Sequence, residues 1–370
     1  MKNTLKCLIA VFIMAMAFVV TGTTVKAVEP TYVPAVYTDM SKNPGVATKQ
    51  YIVQPKGEIV IPVQIPGKGG LDVAYAATIY QQGYTYGNMY IGCYYDVACT
   101  RQVPGFYDSI ATSTSGNDIA FPAAGTYYFK VKSYGDGPQI LYFAAAFASG
   151  ANRTIKSKQT TAIYSNNSNE WVYSKFKATK TGYIAVAAAE LADYPSNIYV
   201  KLTDNKKKAC SEQTALNNKY VYYGVQKGKT YYIATKSYAE FYNLYVKQTA
   251  VKEKSGSSKS KAKTIKKGKT VKGVQIANKK KSGTDWYKFY LPSRKNFKIT
   301  LKGGTSSVYG RDLIVKISAA NNRTIFGNTM YVENGGGTYS TKSPFSAGTY
   351  YFQVTKRDKL SSGWYSIKWK

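Results

Sequence analysis

The sequence predicts an all-β protein of three tandem antiparallel β-sandwich, jelly-roll-like domains that follow a signal peptide. Three observations predict this. The related stretches AGTYYFKV, KGKTYYIA and AGTYYFQV begin at Ala124, Lys227 and Ala347, a domain-scale spacing. Many other short segments alternate apolar and polar residues between polar turns. No long segment shows the 3.6-residue hydrophobic period of a helix.

Residues 1–27 have the pattern of a signal peptide. Lys2 and Lys6 precede the apolar run from Leu8 to Val20, and the following VKA predicts cleavage after Ala27. The run is short for a spanning helix, although an uncleaved N-terminal anchor is the alternative. We expect a secreted, extracellular or cell-wall-associated protein without a transmembrane span in its mature chain. The Lys-, Asn- and Tyr-rich composition is typical of a bacterium, and we expect a Gram-positive one.

The mature chain divides at changes in composition. Residues 28–46 contain three prolines and are predicted to be an extended leader. Unit 1 covers 47–150, unit 2 covers 151–250 and unit 3 covers 264–370, and a Lys/Ser-rich, solvated linker covers 251–263. Each unit contains a Gly turn, a Tyr-Tyr strand, a polar loop and a last alternating strand, which indicates two antiparallel closing strands.

Histidine is absent from the chain. Its absence excludes a Ser-His-Asp triad, a Cys-His pair, a His-ligated zinc ion and a histidine general base. Cys93 and Cys99 are candidates for a disulfide in an exported protein, but only if the chain turns between them, because a straight strand would hold them about 20 Å apart. Two buried free thiols are the alternative, and Cys210 is expected to be a lone buried thiol.

Basic residues are concentrated toward the C-terminus. Residues 28–150 hold 7 Lys/Arg against 8 Asp/Glu, residues 151–250 hold 15 against 6, and residues 251–370 hold 26 against 5, a net +21. Such a surface attracts anionic polymers of a cell wall or matrix, although solvated lysine turns also simply favour solubility. No nucleic-acid motif is present, so we expect no specific nucleic-acid partner. The predicted anionic-polymer residues are turn lysines: Lys266, Lys267, Lys269, Lys279, Lys280 and Lys281.

Residues 257–370 carry a recognisable order of elements. Asp285 to Phe289 (DWYKF) precede the strand Leu313–Ile317, the stretch AGTYY from Ala347, and the closing segment Gly363–Trp369. This order resembles the bacterial pre-peptidase C-terminal domain family, β-sandwich modules appended to secreted proteases; units 1 and 2 match it only in the Tyr-Tyr strand and layout. The resemblance implies a sandwich without a catalytic group. Some relatives bind calcium or collagen, but the acids here are isolated among lysines, so we expect neither a metal nor a cofactor.

Alternation divides the aromatic residues of unit 3 between two faces. Tyr287, Phe289 and Leu291 share one face, and Tyr365, Ile367 and Trp369 share another. The resemblance to the family implies that both sets are core. The residues that alternate with them face outward, and rings there stack on sugars or pack against neighbouring domains. The candidates for sugar stacking are Trp286, Tyr290 and Trp364.

Together these features predict a non-catalytic protein that binds an anionic extracellular or cell-wall polymer and so adheres to or coats a surface. A tyrosine-rich array of carbohydrate-binding modules is one alternative. A glycosidase-type enzyme in unit 1 or 2 is another, since two carboxylates need no sequence motif. The sequence favours none of its carboxylate pairs, such as Asp96 with Asp108.

The charge distribution generates a prediction about where binding lies. We expect the fragment 251–370 to bind an anionic cell-wall polymer and residues 28–150 not to bind it. Binding should weaken strongly between about 50 and 500 mM salt, because lysine contacts release counterions. Changing Lys279, Lys280 and Lys281 together to Ser should weaken binding without unfolding the fragment. Sedimentation with purified cell walls measures this, and equal binding by both fragments would contradict it.

Overall fold

The computed structural model describes residues 31–32, 46–80, 87–110, 115–150, 153–165, 170–190, 197–216, 219–237, 241–252, 255–278, 283–321 and 324–370. Across these residues the protein consists of strands and turns without helices, and so no helix there is long and apolar enough to cross a membrane. The predicted signal peptide with its cleavage after Ala27 lies outside them.

The described strands fall into three consecutive groups of nine. Unit 1 contains β1 Thr31–Tyr32, β2 Val46–Val53, β3 Glu58–Ile65, β4 Gly69–Ile79, β5 Met89–Tyr94, β6 Gln102–Ile110, β7 Ser115–Phe121, β8 Gly125–Ser133 and β9 Gln139–Ser149. Unit 2 contains β10 Arg153–Thr154, β11 Gln159–Tyr164, β12 Val172–Lys177, β13 Gly182–Glu190, β14 Tyr199–Thr203, β15 Thr214–Ala215, β16 Val221–Val225, β17 Thr230–Lys236 and β18 Phe241–Ala250. Unit 3 contains β19 Lys263–Thr264, β20 Thr270–Gln275, β21 Asp285–Leu291, β22 Lys298–Thr305, β23 Leu313–Ala319, β24 Thr324–Tyr331, β25 Gly337–Ser340, β26 Gly348–Lys356 and β27 Gly363–Trp369.

All three units have the same topology. In unit 1 a five-stranded sheet has the order β1-β3-β8-β5-β6, and a four-stranded sheet has the order β2-β9-β4-β7. Units 2 and 3 repeat both orders with their own nine strands. Each unit has its own main core of buried apolar side chains. The predicted all-β fold of three tandem sandwiches is therefore confirmed.

The repeated Tyr-Tyr strands are β8, β17 and β26, which lie at the centre of the five-stranded sheet in each unit. The first tyrosine of each pair is buried, and the second is partly exposed on the outer face. This confirms that the three strands are equivalent and that their tyrosines alternate. The buried members are Tyr127, Tyr231 and Tyr350, and the outward members are Tyr128, Tyr232 and Tyr351.

Two segments that the sequence predicts to be a leader and a linker form backbone pairs with the neighbouring units. Within the predicted extended leader, Thr31–Tyr32 pair in parallel with β3. Within the predicted solvated linker, Gly256 pairs with Trp286, and the Lys259 ammonium donates to the Ala320 carbonyl (2.8 Å). β10 and β19 have the same parallel place as β1. The described part of the linker is therefore held against unit 3 by backbone pairing with β21, although Lys252, Lys261 and Lys263 in it are exposed.

The predicted disulfide is not formed. The chain does turn after β5, where the Tyr95 amide donates to the Arg101 carbonyl (2.9 Å). However, Cys93 and Cys99 are both free thiols. Cys93 faces the core of unit 1, and burial raises its pKa, whereas Cys99 lies in the turn with its Sγ against the Val97 carbonyl (3.7 Å). The turn thus leaves one sulfur in the core and the other at the surface.

Small residues let the four-stranded sheets of units 1 and 2 pack closely. The outward alanines of β9 are fully buried in a cluster with Tyr164 and Phe241 of unit 2. Gly70 of β4 lies beneath the Tyr164 ring, where a Cβ atom would come within 2.1 Å of it. Because β9 is covered on both sides, it reads as a nearly continuous apolar run, unlike a strand with one face in water.

Lys356, the last residue of β26, is a buried ammonium beside the contact between units 2 and 3. Its Nζ donates to the carbonyls of Ile276 (3.1 Å), Asn278 (3.2 Å) and Lys359 (3.1 Å). Ile276 also forms a parallel bridge with Gly224 of unit 2. Lys356 therefore fixes the segment of unit 3 that pairs with unit 2.

We expect Lys356→Met to lower the free energy of unfolding by about 2 kcal/mol, because buried carbonyls lose their donor. Burial lowers the pKa of Lys356 from 10.5 to about 8. Between these values the unfolded chain binds more protons than the native state, so the contribution of Lys356 to stability rises with pH from about 8 to 10.5. Urea unfolding at pH 7 and pH 10 should show that the difference in free energy of unfolding between wild type and variant is larger at pH 10, because the buried tyrosines and Cys93 titrate in both proteins and cancel in the difference. Lys359→Met is the control, because its side chain is exposed; equal effects of both variants would contradict the assignment.

Candidate functional site

The four-stranded sheet of unit 3 has an outer face of lysines and hydroxyls. In β20, β22 and β27 the inward residues belong to or pack against the core of unit 3, and the residues that alternate with them face outward. We call the five outward lysines the lysine face: Lys272, Lys298, Lys302, Lys368 and Lys370. The outward positions of these strands and of β25 include Thr270, Thr300, Thr338, Ser340 and Ser366, and none of them is acidic.

Strand pairing arranges the lysine face in rows across the sheet. Lys272 and Lys302 are the neighbours of Ser366 on either side. Thr270 and Thr300 flank Lys368 in the next row. The third row joins Lys298 to Lys370 through reciprocal backbone hydrogen bonds of 3.0 and 2.9 Å. Lysines and hydroxyls thus alternate across the first two rows, and the third row places two lysines side by side.

One end of the lysine face meets unit 2. The Trp364 ring stacks on the Tyr183 ring with a centroid distance of 5.0 Å and an interplanar angle of 15°. Gly304 permits this approach, since a Cβ atom there would lie 2.2 Å from the Tyr222 ring. Together with the end of β18, these elements enclose a cleft of about 530 Å³.

The lining of this cleft is cationic and rich in hydroxyls. Four members of the lysine face contribute to it, and none of its lining residues is acidic. The side chains therefore present several ammonium donors and hydroxyls to one volume beside an aromatic pair, an arrangement suited to an anion. The lining residues are Tyr183, Thr249, Ala250, Val251, Thr270, Lys272, Thr300, Lys302, Trp364, Ser366, Lys368 and Lys370.

Three of the six turn lysines predicted from the sequence lie beside the lysine face. Lys266, Lys267 and Lys269 are exposed in the turn before β20. The turn is joined to β27, because the Gly268 amide donates to the Trp369 carbonyl (2.8 Å). These lysines therefore extend the lysine face at the end away from unit 2. Lys279, Lys280 and Lys281 lie outside the described residues.

The three predicted sugar-stacking residues are not brought together on one surface. Trp286 is half-buried and Tyr290 is 58% exposed, both on the outer face of the five-stranded sheet of unit 3. Trp364 lies on the other sheet, where Tyr183 covers one face of its ring. Of the two roles that the sequence leaves open for Trp364, this contact corresponds to packing against a neighbouring domain.

Sequence reasoning missed a cluster of rings and lysines on unit 2. The Lys201 ammonium lies 3.9 Å and the Lys236 ammonium 5.3 Å from the centroid of the Trp171 ring, and Lys207 lies 4.4 Å from that of Tyr173. Burial and the Lys236 charge lower the pKa of Lys201. Alternation in WVYSKFK does place Trp171 and Tyr173 on one face, but the lysines come from strands and turns elsewhere in the chain.

The described residues give little support for a metal site or for a pair of catalytic carboxylates. No group of three or more Cys, Asp and Glu side chains there could hold a metal ion. Asp96 accepts hydrogen bonds from the amides of Thr100 and Arg101, whereas Asp108 accepts one from the Tyr75 hydroxyl. The two carboxylates thus serve separate local structures.

Comparison with known proteins reveals fold similarity at low identity. No family model matches the chain, and no curated protein matches it. Among solved structures, the chain is similar to the pre-peptidase C-terminal domain of a collagenase from Bacillus anthracis, with 22% identity, 29% of this chain and 93% of that one covered, and a TM-score of 0.24.

Two carbohydrate-binding modules are also similar. The C-terminal CBM6 of the laminarinase LamC from Zobellia galactanivorans has 17% identity, with 31% of this chain and 90% of that one covered and a TM-score of 0.20. The tandem CBM22-1–CBM22-2 of Xyn10C from Paenibacillus barcinonensis has 9% identity, with 62% and 93% covered and a TM-score of 0.20. At these identities the likeness concerns the β-sandwich fold alone.

The Tyr183–Trp364 stack predicts a measurable coupling between units 2 and 3. In a double-mutant cycle of Tyr183→Ala and Trp364→Ala, we expect a coupling energy of about 1 kcal/mol, since stacked rings stabilise each other beyond the area that they bury. Urea unfolding measures it. The control cycle pairs Trp364→Ala with Tyr290→Ala, on the other sheet, and should give additive effects. Additive effects in both cycles would mean that the Tyr183–Trp364 stack does not stabilise the junction between units 2 and 3.

Proposed function

We propose that this chain is a secreted, non-catalytic protein that binds an anionic extracellular or cell-wall polymer through the lysine face and its cleft. The observation that carries the proposal is the concentration of lysines and hydroxyls on one sheet face whose outward positions and cleft lining hold no acidic residue. A surface that served only solubility would not require its lysines to be adjacent on three paired strands.

The geometry supports multivalent contact. At about 0.15 M salt the screening length is about 8 Å, so only charges close to a ligand contribute. Neighbouring strands are about 4.8 Å apart, and same-face neighbours along a strand are about 7 Å apart. The lysines of this face therefore act on one ligand together, whereas an isolated surface lysine does not.

The expected signal peptide of residues 1–27 supports a location outside the cell. The absence of histidine excludes catalytic sites that depend on this residue. The resemblance of unit 3 to pre-peptidase C-terminal modules supports a role as a binding or spacing module. Units 1 and 2 carry less positive charge, and in this proposal they position unit 3 on its surface.

A second candidate function is glycan binding on the five-stranded sheets. In unit 1 the outward rings of Tyr90 and Tyr107 stack at 5.7 Å. Tyr107 and Tyr134 are more than half exposed, and Lys132 lies 5.2 Å from the Tyr134 ring centroid. Exposed tyrosines beside a lysine suit a sugar ring with an acidic substituent. Binding through this surface would be insensitive to changes in the lysine face.

The proposal predicts a specific loss of binding when the lysine face is neutralised. The triple change Lys272→Gln, Lys302→Gln and Lys368→Gln should weaken binding of the mature chain to purified cell walls about tenfold or more at about 0.15 M salt. It should also make binding less dependent on salt, because fewer counterions are released. Binding isotherms over a range of salt concentrations measure both effects.

The matched control is the triple change Lys175→Gln, Lys177→Gln and Lys229→Gln, which removes the same charge from exposed positions of unit 2. It should change binding less than about twofold, since these lysines lie on the five-stranded sheet of unit 2 and in the turn before β17, and not on the lysine face. An equal loss in both variants would mean that net charge alone governs binding, and the proposed site would be abandoned. Thermal unfolding confirms that both variants fold.

A further inference from the structure

We propose that the lysine face recognises the charge spacing of its polymer, and that the polymer is a linear polyol phosphodiester with one negative charge per roughly 7 Å. This inference rests on the proposed function, since it concerns the same surface. It adds the ligand class and the direction in which the ligand lies.

The rows of the lysine face set the spacing. Along β27, Ser366, Lys368 and Lys370 face outward at every second residue, so successive rows are about 7 Å apart. Each row holds at least one lysine: Lys272 and Lys302 beside Ser366, then Lys368 itself, then Lys370 with Lys298. A polymer that lies along β27 therefore meets positive charge at intervals of about 7 Å over three rows.

A phosphodiester of a three-carbon polyol matches this interval. Its repeat has six backbone bonds, and a chain with three bonds per peptide residue extends about 3.5 Å per residue, so the repeat extends roughly 7 Å. Each repeat carries one phosphate charge. The phosphates of such a chain can therefore each lie at one lysine row without compression or coiling.

The residues between the lysines suit the same polymer. Thr270, Thr300 and Ser366 place hydroxyls beside the ammonium groups in the first two rows. The Thr300 and Thr338 hydroxyls are 3.2 Å apart, so the hydroxyl surface continues to the neighbouring strand β25. Hydroxyls donate to phosphate oxygens and accept from the free hydroxyls of a polyol, whereas lysine ammoniums only donate. The alternation thus provides partners for both parts of the repeat.

A polymer with denser charge fits the rows less well. α-Polyglutamate carries a carboxylate about every 3.5 Å when extended, but its side chains alternate between two sides, so about half of its charges would point away from the lysine rows. General electrostatics predicts the reverse preference, because a denser charge releases more counterions. The two explanations therefore rank these polymers in opposite order, which makes the spacing testable.

The test compares synthetic oligo(glycerol phosphate) and α-oligoglutamate with equal numbers of charges, each titrated into the mature chain at about 0.15 M salt. We expect oligo(glycerol phosphate) to bind about tenfold more tightly, a difference of about 1.4 kcal/mol. If only oligoglutamate binds, or if it binds equally or more tightly, the spacing inference is overturned and the proposed function stands. If neither oligomer nor the cell-wall polymer binds, the proposed function itself fails.

Two charge-conserving swaps separate spacing from net charge. Lys368→Ser with Ser366→Lys moves one lysine to the adjacent row and leaves a gap of about 14 Å between lysine rows. Lys368→Thr with Thr300→Lys keeps a lysine in the same row. We expect the first swap to abolish the tenfold preference and the second to retain it. Thermal unfolding checks the fold of each variant, because Ser366 is buried. Equal preferences in two folded variants would overturn the inference.

Discussion

The alternation of side chains along the central strand of each five-stranded sheet is the constraint on which the rest of the protein depends. In β8, β17 and β26 the first tyrosine of the pair enters the core and the second faces outward. Because these strands pair on both sides, they fix the register of their neighbours, and a shift of one residue would exchange the buried and exposed sets. Repetition of this strand therefore explains why three dissimilar sequences adopt one topology.

Contacts between units use the four-stranded sheets, and glycine and alanine make them close. Gly70 lies under Tyr164 at the first junction, and Gly304 lies under Tyr222 at the second. A β-carbon at either glycine would overlap an aromatic ring, so the close approach requires the smallest residue. The second junction is also polar, because the buried Lys356 binds the carbonyl oxygens of the segment that bridges to unit 2. The five-stranded sheets contribute few contacts between units, and the partly exposed tyrosines lie on their outer faces.

The positive charge of the chain forms a binding surface only where folding places lysines next to one another. Turn lysines such as Lys266 are conspicuous in the sequence as runs, yet the adjacent lysines of the sheet are single residues between apolar ones. Strand pairing brings Lys272, Lys302 and Lys368 into neighbouring positions although they are far apart in the chain. A surface of this kind holds its charges on a rigid sheet, so less conformational entropy is lost when a ligand binds than with flexible turns.

The sequence by itself determined the all-β class, the three sandwiches, and the inward and outward sets of residues, because alternation with period two is a local property that each strand carries in its own residues. It also showed that positive charge increases toward the C-terminus. Only the tertiary structure decided which outward residues are neighbours, that Trp364 packs on Tyr183, and that Cys93 and Cys99 remain apart. These outcomes depend on pairing and packing between segments distant in the chain, and no local pattern encodes that pairing.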